Sequence, residues 1–256
     1  MAKMKDKHLL TILLVVFLLV FIQSTAAAAP QFQIPNINLE IGNGEAQPQD
    51  LAMSLRILLL LTVLTMAPAM LILLTSFTRI IVVLSLLRRA LATQRMPPNQ
   101  VLIGLALILT IYIMAPVWGQ VNQNALQPYL NEEINEATAF ERMTGPFREF
   151  MFKYTREKDI GLFVNLSEVE EPENQSDIPL YVLIPAFVLS ELKTAFQIGF
   201  MIYLPFVVID MIVASTLMSM GMMMLPPVMI SLPFKILLFI LVDGWYMVIK
   251  SLMETF

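Results

Sequence analysis

Long apolar runs of helical rather than strand length alternate with short polar stretches along this chain. The first run, Leu9 to Ile22, is uncharged, 14 residues long and preceded by Lys3, Lys5 and Lys7. A bilayer-spanning helix needs about 20 apolar residues, whereas a run of this length with basic residues before it suits the core of a signal peptide. Gln23, Ser24 and Thr25 lead into Ala26–Ala29, and Pro30 disfavours a cut directly before it, so cleavage is expected near Ala26–Ala28. Residues 1–28 are thus read as a cleavable signal peptide and 29–54 as a flexible periplasmic leader, marked by Pro35, Pro48, Gly42 and Gly44.

Ile57 to Phe77 is a 21-residue uncharged run with Pro68 in its middle, which predicts a kinked spanning helix. Thr78 to Gln100 then holds Arg79, Arg88, Arg89 and Arg95 with no acid. Ile80, Val83, Leu84, Leu87 and Leu91 recur at helical spacing there, predicting a basic amphipathic helix that ends at Pro97-Pro98. Val101 to Trp118 is a second uncharged run, of 18 residues. Together, residues 55–118 read as a first hydrophobic helix pair with a basic connector.

Residues 119–177 differ in kind. Twelve of the chain's twenty acids fall between Val121 and Asp177, against five basic residues. Phe140, Met143, Phe147, Phe150, Met151 and Tyr154 repeat at threes and fours, which predicts an amphipathic helix within a soluble insertion. From Ile178 to Phe256 only seven of 79 residues are charged. Helices are expected at roughly 180–196, 198–220 and 228–250, with a turn at Gly221–Pro227. The fold class is therefore all-α: membrane-associated helical hairpins with about four long hydrophobic helices and an acidic helical insertion.

Composition sharpens this picture. The 256 residues are 57% hydrophobic and only 14% charged, against about 25% charged in soluble chains. Their mean hydropathy is +0.74. Too little polar surface is present to cover a soluble monomer. Cysteine is absent and the only histidine is His8, which leaves with the signal peptide. The mature chain then lacks the side chains for Ser-His-Asp triads and His/Cys zinc sites. No cofactor is implied. Losing Lys3, Lys5, Lys7 and Asp6 also moves the net charge from −4 to −6, and no basic stripe remains for nucleic acid. Short basic loops stay cytoplasmic, so Arg79, Arg88, Arg89 and Arg95 mark the cytoplasmic side and the acidic insertion the outside.

Each charge within an apolar run costs about 2.5–3.5 kcal/mol on insertion scales, so it needs a partner or a water path. Asp210 lies 11 residues before Gly221 and Lys235 lies 8 after Pro227. At 1.5 Å per residue they sit roughly 16 and 12 Å from the hairpin tip. Opposite charges at similar depth on adjacent antiparallel helices predict an Asp210–Lys235 pair; the competing role for Asp210 is proton relay. Glu191 and Lys193, two residues apart, point to different helix faces and are read as contacts to neighbouring chains. Ser231 and Lys235 have dyad spacing but no oxyanion-forming loop beside them. Seven of the 19 methionines lie between Met211 and Met229, and Met222, Met223 and Met224 occupy the turn itself. Methionine adapts to irregular or changing partners, which fits a soft constriction where several copies surround an opening.

PAFVLSELKTAFQIGF (Pro185 to Phe200) followed by PFVVIDM (Pro205 to Met211) resembles the signatures of the FliP family of flagellar and related type III secretion export-gate proteins. Phe77 to Thr110, Pro146 to Phe163 and the segments of Gly221 to Trp245 (GMMMLPP, LPFK and LVDGW) resemble the same family in the same order. The resemblance implies a bacterial inner-membrane protein of the flagellar basal body with periplasmic exposure and no catalysis of its own. It also implies a homo-oligomer, pentamer-like, assembled with FliQ and FliR into the pore that passes unfolded flagellar proteins. In that family a methionine-rich loop narrows the closed pore, which matches Met222–Met224, and the charged positions of the hydrophobic part match Asp210 and Lys235. The family's gate complex sits largely above the membrane plane, so part of the apolar surface is expected to meet other subunits. The competing function classes are an ion or solute transporter using Asp210 and Lys235, for which no inverted repeat is visible, and an intramembrane hydrolase.

Overall fold

A computed structural model describes residues 48–93, 96–167, 172, 174–222 and 224–256. The expected signal peptide and residues 29–47 of the leader lie outside the described residues, as do Arg95 and Met223. Two units are distinguished, Met1–Met53 and Ser54–Phe256. Of the first, only 48–53 are described, as the start of a helix.

Among the described residues the long elements are all helices. They are α1 (Pro48–Leu73), α2 (Phe77–Ala90), α3 (Asn99–Val121), α4 (Gln127–Leu130), α5 (Glu136–Tyr154), α6 (Glu157–Leu166), α7 (Leu180–Ser219), α8 (Pro227–Leu241) and α9 (Gly244–Met253). A π-helical turn, Asn122–Leu126, joins α3 to α4. Among the described residues, three segments are long and apolar enough to cross a membrane: Ser54–Leu73, Asn99–Leu130 and Leu180–Ser219. The α8–α9 pair passes the same test jointly but is bent by 63°.

The spine is α7, which packs against α2, α5, α6 and α8. The apolar stripe of α2 faces it: Ile80, Val83, Leu84 and Leu87 are fully buried and Leu91 nearly so. Burying an aliphatic side chain of this size contributes about 1.5–3 kcal/mol, so this stripe is the main anchor between the two helices. Phe77, Leu84, Leu102, Ala195 and Leu252 join α2, α3, α7 and α9 in one cluster. Met114, Phe150, Met151, Val164, Leu183 and Phe187 join α3, α5, α6 and α7 in another. Gly199 lets α2 and α7 approach, since a Cβ there would lie 2.2 Å from Leu86 Cδ1.

Several boundaries differ from the sequence reading. The basic helix ends at Ala90 rather than at Pro97-Pro98, because Ala92 turns into the left-handed region (φ 57°). The helices expected at 180–196 and 198–220 are one 40-residue helix that runs through Pro185 and Pro205. Proline removes a single ladder donor, and the rest of the ladder carries α7 through both positions; its buried residues lie mainly between Val182 and Gly199, with Phe206 and Leu217 beyond. The expected helix 228–250 is instead two helices, broken where Asp243 adopts φ 49°. In the insertion, the predicted stripe divides: Phe150 and Met151 are buried, whereas Phe140 and Met143 are exposed. Among the insertion's described acids, Asp159 alone is buried.

Candidate functional site

The α7–α8 hairpin carries the methionine turn, and its start is set by backbone chemistry. Gly221 adopts φ 75°, its N–H donates to Met218 O (3.1 Å), and the Met222 N–H donates to Leu217 O (3.0 Å). This pair of bonds around a left-handed glycine is a Schellman cap, which satisfies the last carbonyls of α7. Glycine adopts this conformation without the Cβ penalty. Pro226 and Pro227 then restart the chain as α8, with Pro227 at a position where its missing N–H costs nothing. Met222 is half-buried and Met224 is 98% exposed at the tip.

Below the tip, Asp210 of α7 faces Ser231 and Lys235 of α8. Lys235 Nζ lies 2.6 Å from Asp210 Oδ2, and the Ser231 hydroxyl donates to Asp210 Oδ1 at 2.5 Å. Ser231 and Lys235 are buried, while the Asp210 side chain is 24% exposed. Just beyond this pair an apolar groove of about 460 Å³ runs between the two helices, lined by residues including Ile212, Leu217, Ile230 and Phe234.

A second polar cluster crosses α7 at consecutive positions. Glu191 is fully buried and takes a forked pair of hydrogen bonds from Arg79 of α2, through Nε (2.9 Å to Oε2) and Nη2. Arg79 Nη1 donates to Thr255 Oγ1 (2.9 Å), and the Phe256 ring lies 3.9 Å from the guanidinium carbon. Beside it, the buried Ser190 hydroxyl donates to Asp159 Oδ2 (2.6 Å) and accepts the Arg156 backbone N–H (3.1 Å). Arg156 also pairs with Asp159 at 2.5 Å. Burial works to raise the Asp159 carboxyl, but the Ser190 and Arg156 hydrogen bonds and the charges of Arg156 and Lys193 outweigh it. The group is held below the ordinary carboxylate value.

Arg79, read from the sequence as part of a cytoplasm-side basic connector, and Glu191, read as a contact to neighbouring chains, have a partner that neither reading names: each pairs with the other inside this chain. Their separation of 112 residues leaves no local trace in the sequence. Lys193 is exposed. Arg88 bonds Pro97 O (3.1 Å) and Asn99 Oδ1 (2.6 Å), folding the connector back onto α2, and Arg89 is exposed. Sequence reasoning also passed over Arg148, whose Nη2 donates to the carbonyls of Gln175, Ser176 and Ile178 and so fixes the approach to α7. Its setting in a polar stretch gave no signal. Among the described residues, no cluster of three or more His, Cys, Asp or Glu side chains is arranged to hold a metal ion.

The model of the FliP family matches residues 60–252, about three quarters of the chain and every charged group of the hairpin. The chain belongs to the FliP family. Similar curated relatives are the flagellar biosynthetic protein FliP of Bacillus subtilis (strain 168), 59% identical over 211 residues, and those of Pectobacterium carotovorum subsp. carotovorum and Aquifex aeolicus (strain VF5), 50% and 47% identical. The alignments cover 82%, 88% and 88% of this chain and 96%, 89% and 92% of those proteins. Within this FliP-family chain, Thr255 and Phe256, which close over Arg79, lie beyond the matched span.

Proposed function

We propose that this chain is a pore-forming subunit of the flagellar type III protein export gate. In this reading several copies assemble with FliQ and FliR in the bacterial inner membrane and pass unfolded flagellar proteins. Met222, Met223 and Met224 form the seal that narrows the closed pore, and the Asp210–Lys235 pair holds the hairpin that carries them. The chain provides structure and a conduit rather than catalysis.

The observation that carries this reading is the surface of the hairpin and of α1. Leu58, Leu59, Val63 and Leu64 of α1 and Met211, Leu237, Ile240 and Leu241 of the hairpin are all more than half exposed. Exposed apolar side chains in such numbers on each of these elements mark surfaces covered by membrane or by other chains. At its tip the nearly bare Met224 side chain is long and polarizable, the kind of group that closes an opening while remaining deformable. Family membership supports the export role, since the curated relatives are named flagellar biosynthetic proteins. The transporter reading requires Asp210 to release and rebind a proton, yet Ser231 and Lys235 already occupy both of its oxygens.

The test replaces Met222, Met223 and Met224 together with glycine in the assembled complex and measures ion conductance through the closed gate. The seal predicts increased leakage, and unchanged conductance contradicts it. Co-expression with FliQ and FliR is expected to yield a stable oligomer. A stable monomer that drives ion-coupled solute uptake would overturn the export-gate reading.

A further inference from the structure

Ser231 is fully buried in the first turns of α8, four residues before Lys235 and five after Pro226. That spacing puts Ser231 and Lys235 on one helix face, one turn apart. Asp210 accepts from both, one donor to each carboxylate oxygen. The two oxygens are thus held by two donors on one rigid element, which sets the rotation of the carboxylate as well as its distance. Lysine alone, a flexible point charge on a four-carbon stem, fixes the distance but not the orientation.

A second acceptor lies within reach of Ser231. The carbonyl of Val228, one turn back on α8, is 3.0 Å from the hydroxyl oxygen, against 2.5 Å for Asp210 Oδ1. A hydroxyl carries one proton, so it serves one of these acceptors at a time. The bond to the carboxylate is charge-assisted and stronger, while the bond to the carbonyl is the ordinary fallback of a helical serine. Val228 directly follows Pro227, at the junction between the methionine turn and α8. The same hydroxyl therefore stands between the Asp210 carboxylate and the base of the turn.

We infer that Ser231 is the positioning residue of the hairpin: its hydroxyl orients Asp210 toward Lys235 and thereby fixes the angle at which the methionine turn leaves α7 and enters α8. When the pair is intact the proton points at Asp210. If the helices part, it passes to Val228 O and no buried donor is stranded. This inference rests on the export-gate reading only for the meaning of the tip; the geometry of the hairpin stands apart from it.

The chain contains no cysteine, so nitroxide labels can be attached solely at Met218→Cys and Met229→Cys. These positions flank the turn and are exposed. The distance distribution between the labels is measured by pulsed electron resonance on the full chain, and secretion of a flagellar substrate is followed in cells carrying the same Ser231 variants. Ser231→Ala is expected to broaden the distribution, because losing one charge-assisted hydrogen bond shifts the closed-to-open ratio by about tenfold or more. Ser231→Thr, which keeps the hydroxyl, is expected to restore the narrow distribution and secretion together. In a Lys235→Met background, adding Ser231→Ala is expected to broaden it no further, because both groups act through one carboxylate.

A distribution unchanged by Ser231→Ala, or additive broadening in the Lys235→Met background, would overturn the inference. If Ser231→Ala fails to fold, the labelled Ser231→Thr and Lys235→Met chains decide it: a broad Ser231→Thr distribution counts against, a narrow one beside a broad Lys235→Met one counts for. Broadening with normal secretion would support the positioning role and count against the export-gate reading of the tip. Lost secretion with an unchanged distribution would overturn the positioning role and leave that reading standing.

Discussion

Removing Glu191 from the core separates its role inside the chain from a role between chains. Arg79 is 3% exposed and Glu191 fully buried. Arg79 spends Nε and Nη2 on Glu191, Nη1 on Thr255, and its planar face on Phe256. Glu191→Leu leaves a guanidinium with no counter-charge in an apolar setting. Breaking a buried pair from one side costs about 3–5 kcal/mol. A typical domain has about 5–15 kcal/mol of net stability, so the loss is a large fraction of it. Replacing both partners, Arg79→Met with Glu191→Leu, removes the desolvation cost along with the attraction and is expected to be neutral or stabilising by up to about 4 kcal/mol relative to the native pair. The assay is thermal and denaturant unfolding of the detergent-solubilised monomeric chain, run as a double-mutant cycle over the two positions. A contact between chains predicts instead that Glu191→Leu leaves the monomer untouched and weakens only the oligomer. A single-mutant loss below about 1 kcal/mol, the scale of an exposed pair, would refute the reasoning.

Asp159→Asn is expected to destabilise the insertion at neutral pH. The native carboxyl is held below its unfolded value, so its contribution is present above about pH 4 and is lost as pH falls through the lower folded value. The gap between native and variant chains in unfolding midpoint should therefore close on acidification, and a gap that widens would contradict the assignment. Gly199→Ala gains about 1 kcal/mol of helix propensity but places a Cβ 2.2 Å from Leu86 Cδ1 and 3.1 Å from Leu86 Cβ. Overpacking of about 1–3 kcal/mol is expected to win, and Leu86→Ala in the same chain should relieve it in a melting experiment. Gly221→Ala puts a Cβ at φ 75° in the Schellman cap and should cost about 1–2 kcal/mol with no loss of packing. A variant as stable as the native chain would show that the cap is not needed. The charge-reversed chain Asp210→Lys, Lys235→Asp should recover part of the secretion lost in either single variant; a double variant as inactive as the singles counts against the pair.

The parts of this molecule that could be read in the sequence are those set by local quantities. The α2 stripe from Ile80 to Leu91 is a periodicity, and it turns toward α7 as one face. Depth from the turn is also local, because residues count off at a fixed rise on both arms of a hairpin; Asp210 and Lys235 meet for that reason. What escaped is what only packing decides. Arg79 looks like a solvated arginine in an acid-free stretch, and nothing within a turn of it names Glu191 as its partner. The break expected between 196 and 198 is absent, because α7 continues there past Gly199, where it packs closely on Leu86 of α2. Asp243-Gly244 passed as helix interior, where the structure makes a left-handed break and stacks the Phe239 ring at the glycine.

The folded chain sorts its polar and apolar groups into two regimes. Arg79, Glu191, Ser190 and Lys235 lie inside, each with a named hydrogen-bond partner, while rows of Leu, Ile and Met lie outside on α1 and the hairpin. In water this arrangement is doubly unfavourable, since charges pay for desolvation and apolar groups forgo burial. It becomes favourable only where the surroundings are themselves apolar, so that buried charges must find partners within the chain and the outer rows meet lipid or other subunits. The insertion follows the opposite rule: Glu132, Glu133, Glu136 and Glu141 are exposed, as water requires. The boundary between the two regimes falls where Arg156 and Asp159 of the insertion meet Ser190 of α7, one residue from Glu191. The polar insertion and the apolar helices are therefore joined by hydrogen bonds and an ion pair of which Ser190 and Asp159 are buried and Arg156 is 28% exposed on its side chain, so the joint is open to pH from the Arg156 side.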